Sequence, residues 1–498
     1  MTGATLQPGQ ADLPSAKSTA SYWHREPSAA LLGHRTTSAL PPTADIVVVG
    51  SGITGAFATK ELLERQAGEG KTVLLLEARE VCWGATGRNG GHCQPVAYNP
   101  NTNIADFELR NYTHLADLIA ANAIPCDWVP LRGVHALLTP DLVAAAAEQI
   151  AALPPRFAGL ARLVTDPGEL RTLRVSDAAG AVVQERAASV WPYKLVAWIF
   201  EDLLRRFGPG PRSKSGSEAE TTESEDGWFN IQTNTPVTRL QRLPGGGRTS
   251  SPPGEASWVV HTDRGQVAAG KVLLASNAYT SRLLSSFADL VVPVRGQVAA
   301  LLPEPRAELG RSYVFMASSD AARGEPNQDD YLIQRPSPGL DLILGGGRAR
   351  GTSRGVGVSA DDRVDPVVAA YLRRAGVTNV DLVPKERGEA GGPKEELRAS
   401  YEWTGIMAFS RDGRPWVGAV PSGAVLGGGD GLWVCAGYTG HGMPQAALCG
   451  RAVAGMMTGS RGADLDIPVE FLISEERAEK ARALPSIKEM DNLDMFLL

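Results

Sequence analysis

The chain has 498 residues, of which 43% are apolar and 21% charged, with 55 glycines and a formal charge of −6 from 49 basic and 55 acidic side chains. This composition excludes wholesale disorder, and the length fits two to four domains or two built from interleaved segments. The mild acidity excludes a polyanion binder, so no nucleic-acid partner is expected.

Residues 1–43 are rich in Ser, Thr, Ala and Pro and have no periodicity. They read as an N-terminal extension that lies on the surface or is partly disordered. They lack the basic stretch and apolar core of a secretory signal. No run approaches 18 apolar residues, and Asp494 to Leu498 does not match a Ser-Lys-Leu address. A cytoplasmic protein without a transmembrane segment is the default expectation.

Asp45 to Val49 is a short β-branched run, the pattern of a buried parallel strand. Gly50-Ser51-Gly52-Ile53-Thr54-Gly55 follows, then helical spacing from Ala56 to Gln66, then a second strand from Thr72 to Leu76 that ends at Glu77. The three glycines fill G-x-G-x-x-G. Gly50 permits the tight turn, Gly52 a close approach of backbone to a pyrophosphate, and Gly55 close packing of helix on strand. The helix N-terminus favours the anion. Glu77 stands where a carboxylate accepts hydrogen bonds from both ribose hydroxyls, which disfavours a 2′-phosphate. NAD and FAD share this much.

A second glycine-rich loop, Gly84 to Gly91, begins seven residues after the acid and precedes His92. It is placed to fold over the pyrophosphate. Arg88 could neutralise a phosphate, and Gly90 and Gly91 leave room for a flat ring. This points to a flavin. Cys82, Cys93, Cys126, Cys435 and Cys449 are odd in number and form no C-x-x-C, so no metal site is expected and reduced, mostly buried thiols are. Two polar stretches, Pro209 to Asp226 and Pro244 to Ala256, read as inserted surface loops.

Near the far end, Leu432 to Ala436 reads as a strand and Gly437 to Gly442 as another glycine turn. Gln445 to Met457 has helix composition. This would bring another helix N-terminus to the cofactor, where N–H groups aimed at a flavin pyrimidine stabilise its reduced, negative form.

Here the chain resembles the D-amino-acid-oxidase-like flavoprotein superfamily, and within it the γ-glutamylputrescine oxidase-like branch. The residues that carry this are GSGITG (50–55), GATGRNGG (84–91), NAY (277–279), Asp330-Tyr331-Leu332, LGGG (344–347), YEWTGI (401–406) and AGYTGHGM (436–443). The resemblance implies an α/β fold: a Rossmann-type FAD-binding domain assembled from residues 44–99, 180–290 and 405–470. An α+β substrate domain, residues 100–179 and 291–404, would place a mostly antiparallel sheet over the flavin, and residues 471–498 would form a C-terminal extension. It extends the FAD site to Ala78 and Arg79 beside Glu77, to Ala85, Thr86 and Asn89, and to Val237 at the adenine. It also adds Asn277, and Tyr438, Thr439, Gly440, His441, Gly442 and Met443 in the last turn.

Two departures follow. The flavin-linking cysteine of the sarcosine-oxidase branch falls on Gly405, so a non-covalent FAD is expected. Its carboxylate-clamping lysine falls on Pro444, which shifts weight toward a larger primary or secondary amine. Its oxygen-activating lysine falls near Asp341. The implied reaction removes hydride from the carbon bearing an amine nitrogen. The electron acceptor is oxygen, giving hydrogen peroxide, or another carrier; a flavoprotein that holds FAD without turnover is the third reading. Three catalytic candidates stand out. His92 could deprotonate the amine or tune the flavin, or simply hold the cofactor or backbone by a hydrogen bond. Tyr331, on a strand from Tyr331 to Arg335, could touch substrate or pack in the sheet. Trp403 could wall the pocket or pack in the core. His441 is expected to position the cofactor, and Arg295 to be structural. Neither the amine nor the oligomeric state is specified.

Overall fold

The computed structural model describes residues 6–209, 228–244, 256–388 and 395–490. Strand β1 (Thr43–Val49), helix α1 (Ile53–Arg65) and strand β2 (Val73–Leu76) form the expected βαβ unit. The chain then leaves through β3 (His92–Cys93), α2 (Thr102–Ala121), β4 (Val129–Leu137), α3 (Pro140–Ala151), β5 (Ala161–Val164), α4 (Pro167–Thr172) and β6 (Gly180–Ser189). Helix α5 (Pro192–Phe207), with proline at its first position, carries it back to β7 (Phe229–Gln232), β8 (Val237–Arg242), β9 (Trp258–Thr262) and β10 (Gly265–Leu274). Next come α6 (Thr280–Leu283), β11 (Val291–Leu301), β12 (Arg311–Ala317), β13 (Gln328–Gln334), β14 (Leu342–Gly345), α7 (Pro366–Thr378) and β15 (Ala399–Ser410). The last elements are β16 (Trp416–Ala419), β17 (Leu432–Ala436), α8 (Ala446–Met457) and α9 (Glu475–Ala483).

Two sheets result. In the first, β17, β10, β1, β2 and β7 run parallel in that spatial order, with β16 antiparallel at one edge and β8 and β9 joined to β10. Parallel strands are covered on both faces, which is why β1 and β2 read as unbroken apolar runs: Val47, Val48 and Leu75 are fully buried. Each such side chain contributes about 1.5–3 kcal/mol of burial. Helices α1 and α8 touch at backbone distance, because a Cβ on Gly450 would stand 2.6 Å from the Thr54 carbonyl oxygen.

The second sheet has the order β15-β11-β14-β13-β12-β4-β6-β3, with β5 on β6, and only the β4–β12 pair is parallel among its described ladders. Its period of two is visible in the burial. Tyr313, Phe315, Leu332, Leu342 and Leu344 form one core with Val368 and Leu372 of α7. Their neighbours, Val314, Met316 and Tyr331, face the first sheet across a cavity. β6 and the whole of β15 lie in this sheet, so the crossings fall at Val190–Trp191 and beyond Ser410. They therefore lie past the boundaries near residues 180 and 405 expected from the sequence.

The N-terminal extension departs from expectation. Ala11, Tyr22, Trp23 and Leu31 are buried. The Trp23 indole donates to Asn89 O at 2.6 Å, Ser21 Oγ to Gly87 O at 2.8 Å, and Trp191 Nε1 to Trp23 O at 2.8 Å. A few aromatic anchors outweigh a polar average composition: each removes a large apolar area from water while its N–H is satisfied. The inserted loops at 209–226 and 244–256 fall almost wholly outside the described residues. No helix among the described residues is long and apolar enough to cross a membrane.

Candidate functional site

One continuous cavity runs between the sheets. Its floor is a row of loops at the carboxyl ends of β2, β1, β10 and β17, the place where open parallel sheets bind ligands. Gly50, Ser51, Gly52, Ile53 and Thr54 line it, with Glu77, Ala78 and Arg79 on one side and Ser276 and Asn277 on the other. Gly50 has φ +107°, and an added Cβ would meet Ala275 O at 2.7 Å; on Gly55 it would meet Gly50 O at 2.0 Å. Gly55 does not line the cavity: it lets helix and strand approach. Gly52 caps α1, and a Cβ there would meet Thr86 Oγ1 at 3.1 Å. Glu77 is held by Ser51, which donates N–H at 3.0 Å and Oγ–H at 2.6 Å to Oε2, and by Arg79 N–H on Oε1 at 2.9 Å. These backbone cradles fit a dinucleotide laid across the strand ends.

The Gly84–Gly91 loop folds over this floor. Gly84, Ala85, Thr86, Arg88, Asn89 and Gly90 line the cavity, while Gly91 packs on Trp23. The guanidinium of Arg88 is committed elsewhere. Its Nε donates to Thr404 O at 2.6 Å and stands 3.2 Å from Asp361, and its Nη2 donates to Thr19 Oγ1 at 2.7 Å. Arg79 donates to the same carboxylate at 3.0 and 2.9 Å. Fully buried Asp361 thus clasps two arginines and the N-terminal segment, a requirement of charge burial that outweighs the expected phosphate contact. Burial foremost pushes Arg88 down to about 10, so it stays charged at neutral pH.

At the other end of the floor Tyr438, Gly440, His441, Gly442 and Met443 line the cavity. Gly437 and Thr439 act behind them. Gly437 N–H donates to Asn277 Oδ1 at 3.1 Å, which ties the ends of β10 and β17 together. Thr439, at φ +51°, donates its N–H to Ala408 O at 2.7 Å and pins the turn to β15. Val237 also lines the cavity.

The roof supplies side chains. His92 lines the cavity with its Nε2 buried and without a partner, its ring centroid 6.3 Å from that of Tyr331. Burial foremost, with the neighbouring His441 charge, depresses His92 to about 4, so it is neutral at physiological pH. His441 goes the other way. Burial alone would lower it, but Glu108 Oε1, 3.1 Å from its Nε2, raises it. The two histidines on one cavity are therefore shifted in opposite directions. Tyr331 lines the cavity and closes on Gly90, whose Cβ would meet its ring at 2.1 Å. Trp403 does not line it. It is fully buried, stacks on Tyr22 and donates to Arg88 O at 2.7 Å, so its part is packing. Arg295 is not among the lining residues either.

Several roof residues carry no sequence signal. His135 accepts at Nε2 from Gln94 (2.8 Å) and Gln184 (3.0 Å), which places its proton on Nδ1, 2.7 Å from Tyr98 Oη. Burial holds it neutral, down to about 3. Asp329 and Arg348 form a buried pair at 2.9 Å. These groups are separated by tens to hundreds of residues, and only the sheet register unites them. All five cysteines are free and buried, and neither a cysteine nor a lysine is among the cavity's lining residues. No cluster among the described residues could hold a metal ion.

A family model described as DAO, FAD dependent oxidoreductase, matches residues 45–456, well over half of the chain. The chain is 23% identical over 435 residues to the gamma-glutamylputrescine oxidoreductase of Escherichia coli (strain K12), covering 84% of each. Its fold is similar to that of L-proline dehydrogenase from P. horikoshii (TM-score 0.64, 18% identity, 89% of this chain and 99% of that one). It is also similar to glycine oxidase from Geobacillus kaustophilus (TM-score 0.61, 18% identity, 84% and 96%). The chain belongs to the FAD dependent oxidoreductase family, with FAD as cofactor and amine or amino-acid oxidoreduction as its class of reaction.

Proposed function

We propose that this member of the FAD dependent oxidoreductase family oxidises a primary or secondary amine, an amino acid or polyamine derivative, to an imine, with oxygen as electron acceptor. The glycine cradle at Gly50–Gly55 would hold the pyrophosphate of a non-covalent FAD, with Glu77 on its ribose and Val237 at its adenine. Thr86 and Asn89 would cover it, and Gly440–Met443 would lie under the ring. Bound FAD would take a hydride from the carbon bearing nitrogen and pass the electron pair to oxygen, giving hydrogen peroxide.

The observation that carries this reading is His92: a neutral imidazole with an unpartnered Nε2 inside a sheltered cavity. An amine enters as ammonium and must lose a proton before it can release hydride. His92 Nε2 would take it once the low dielectric, which depresses the imidazole to about 4, has lowered the proton affinity of the ammonium as well. Tyr331 walls the same space and orients the carbon. His441, raised by Glu108, would when protonated supply positive charge at the turn where negative charge develops. The test is anaerobic mixing of the holoenzyme with γ-glutamylputrescine, other polyamine derivatives, N-methyl amino acids and D-amino acids. Bleaching of the oxidised flavin band by one class supports the reading, and a panel without effect contradicts it.

One observation favours a second reading, a dehydrogenase that hands electrons to another carrier: no lysine is among the residues lining the cavity. Air admitted to the substrate-reduced enzyme separates the two. Rapid return of the oxidised spectrum with stoichiometric peroxide supports the oxidase; slow return supports the dehydrogenase.

A further inference from the structure

We propose that the N-terminal segment is part of the cofactor site and acts as its latch: residues 12–24 hold the Gly84–Gly91 loop shut over the dinucleotide, and FAD leaves only when that span comes away. The inference rests on the cofactor placement proposed above and needs no particular amine. The segment lies ahead of the family match at residues 45–456, so the family model does not account for it.

The loop has two faces. Gly90 and most of its neighbours line the cavity, but Gly87 and Gly91 do not. A Cβ on Gly87 would stand 2.3 Å from His24 Nε2, and one on Gly91 would stand 2.6 Å from the Trp23 ring. Two of the motif's glycines therefore leave room for the N-terminal segment and not for a flavin. Hydrogen bonds close the seam: Ser21 Oγ donates to Gly87 O at 2.8 Å and Trp23 Nε1 to Asn89 O at 2.6 Å. Arg88, itself in the loop, donates to Ser18 Oγ at 3.2 Å, to Thr19 Oγ1 at 2.7 Å and to Thr19 O. Thr19 ties the segment to the roof as well, since its Oγ1 accepts from Thr404 N–H at 3.0 Å and its own N–H donates to Asp361 O at 2.8 Å. Leu13 and Pro14 reach the cavity directly and join its lining.

The span is also built to open. Its ends are anchored: Ala11 is buried with its N–H on Ser281 Oγ at 3.0 Å, and Tyr22 and Trp23 lie in the main core. Between them, residues 12–20 form no helix or strand and none is buried, while Asp12, Ala16, Lys17 and Ala20 are exposed. A stretch held by polar contacts alone sits at the low end of local stability and detaches without unfolding either sheet. The rate of cofactor release then scales with the fraction of molecules whose latch is open.

The test is the rate at which FAD leaves the diluted holoenzyme, read as free-flavin fluorescence. Thr19 Oγ1 and Thr404 Oγ1 stand 3.3 Å apart, so Thr19→Cys with Thr404→Cys puts two thiols within reach of a disulfide. Oxidised with glutathione disulfide, this variant should release FAD about 30-fold or more slowly than the same protein reduced, and reductant should restore the rate. Equal release in the two states, once thiol titration shows the bond formed, would overturn the proposal. Trp23→Phe leaves Asn89 O without its donor and decides where the bond does not form. Its release should be faster by about 5- to 100-fold with a native far-ultraviolet circular dichroism spectrum; an unchanged rate would overturn the proposal. If Trp23→Phe does not fold, the cysteine pair decides. Thr37→Ala is the control, because Thr37 Oγ1 accepts from Asn230 Nδ2 at 2.9 Å at the sheet edge, away from the loop. It should release FAD at the wild-type rate, and a rise equal to that of Trp23→Phe would overturn the latch in favour of general loosening. Protein that takes up no FAD would overturn this inference together with the cofactor placement; a flavoprotein whose release ignores both the cysteine lock and Trp23→Phe would overturn the latch alone.

Discussion

The floor and the roof of the cavity are built on different principles. The floor is backbone. Its glycines stand at the ends of adjacent parallel strands, and what it offers a ligand is peptide N–H groups at fixed spacing. The roof is side chains: His92 from β3, His135 from β4, Asp329 and Tyr331 from β13, and Arg348 from the turn after β14. A backbone site needs a short local motif; a side-chain site needs correct register across a whole sheet. Changes to the floor should therefore act on cofactor retention and changes to the roof on chemistry.

The largest effect to break this comparison is expected from Gly52→Val. Branched carbons would intrude on Thr86 Oγ1, already 3.1 Å from a Cβ at this place. The purified protein should lack FAD by its absorbance ratio while its far-ultraviolet circular dichroism stays native; a yellow variant would show that the cradle tolerates bulk. Next is Asp361→Asn, which leaves Arg79 and Arg88 without their shared counter-charge. Loss of a buried partner costs about 3–5 kcal/mol, read as a lower denaturation midpoint, and an unchanged midpoint would contradict the clasp. Glu77→Ala should weaken FAD by about 1.5–3 kcal/mol per hydrogen bond lost, measured by equilibrium titration of the apoprotein.

A further effect is graded with pH. His24 and His135 are both depressed to about 3, and His92 to about 4, by burial foremost. In the unfolded chain each titrates near 6.5, so the unfolded state binds protons first as pH falls. The stability each contributes is present above pH 6.5 and lost as pH falls toward 4 and 3, at about 1.4 kcal/mol per pH unit per histidine. His441, being raised, contributes in the opposite direction: its share is present below pH 6.5 and lost as pH rises past it. Denaturation midpoints should fall from pH 6.5 to 4.5 and not between 7.5 and 6.5, and His135→Gln should flatten the slope below 6.5.

The same contrast explains what could be read in the sequence. The βαβ unit, the late strand at Leu432–Ala436 and its helix were visible because strand, glycine turn and helix are contiguous. Arg88 was readable as a loop residue, but its partner was not, since Asp361 is remote in sequence and marked by no motif. Trp403 drew attention as an aromatic near a glycine, yet nothing local says which face of β15 it occupies. In the N-terminal extension the polar average composition hides the buried anchors Tyr22 and Trp23. His135 and Arg348 became visible only once the register of β4, β12, β13 and β14 had aligned them on one face.

The most direct test of the central claim, that His92 takes a proton from an amine held over the flavin, is anaerobic stopped-flow reduction of wild type and His92→Ala by the same amine. Equal FAD content with reduction slowed about 10²- to 10⁴-fold in the variant is the expected result. Reduction of the variant at the wild-type rate would contradict it.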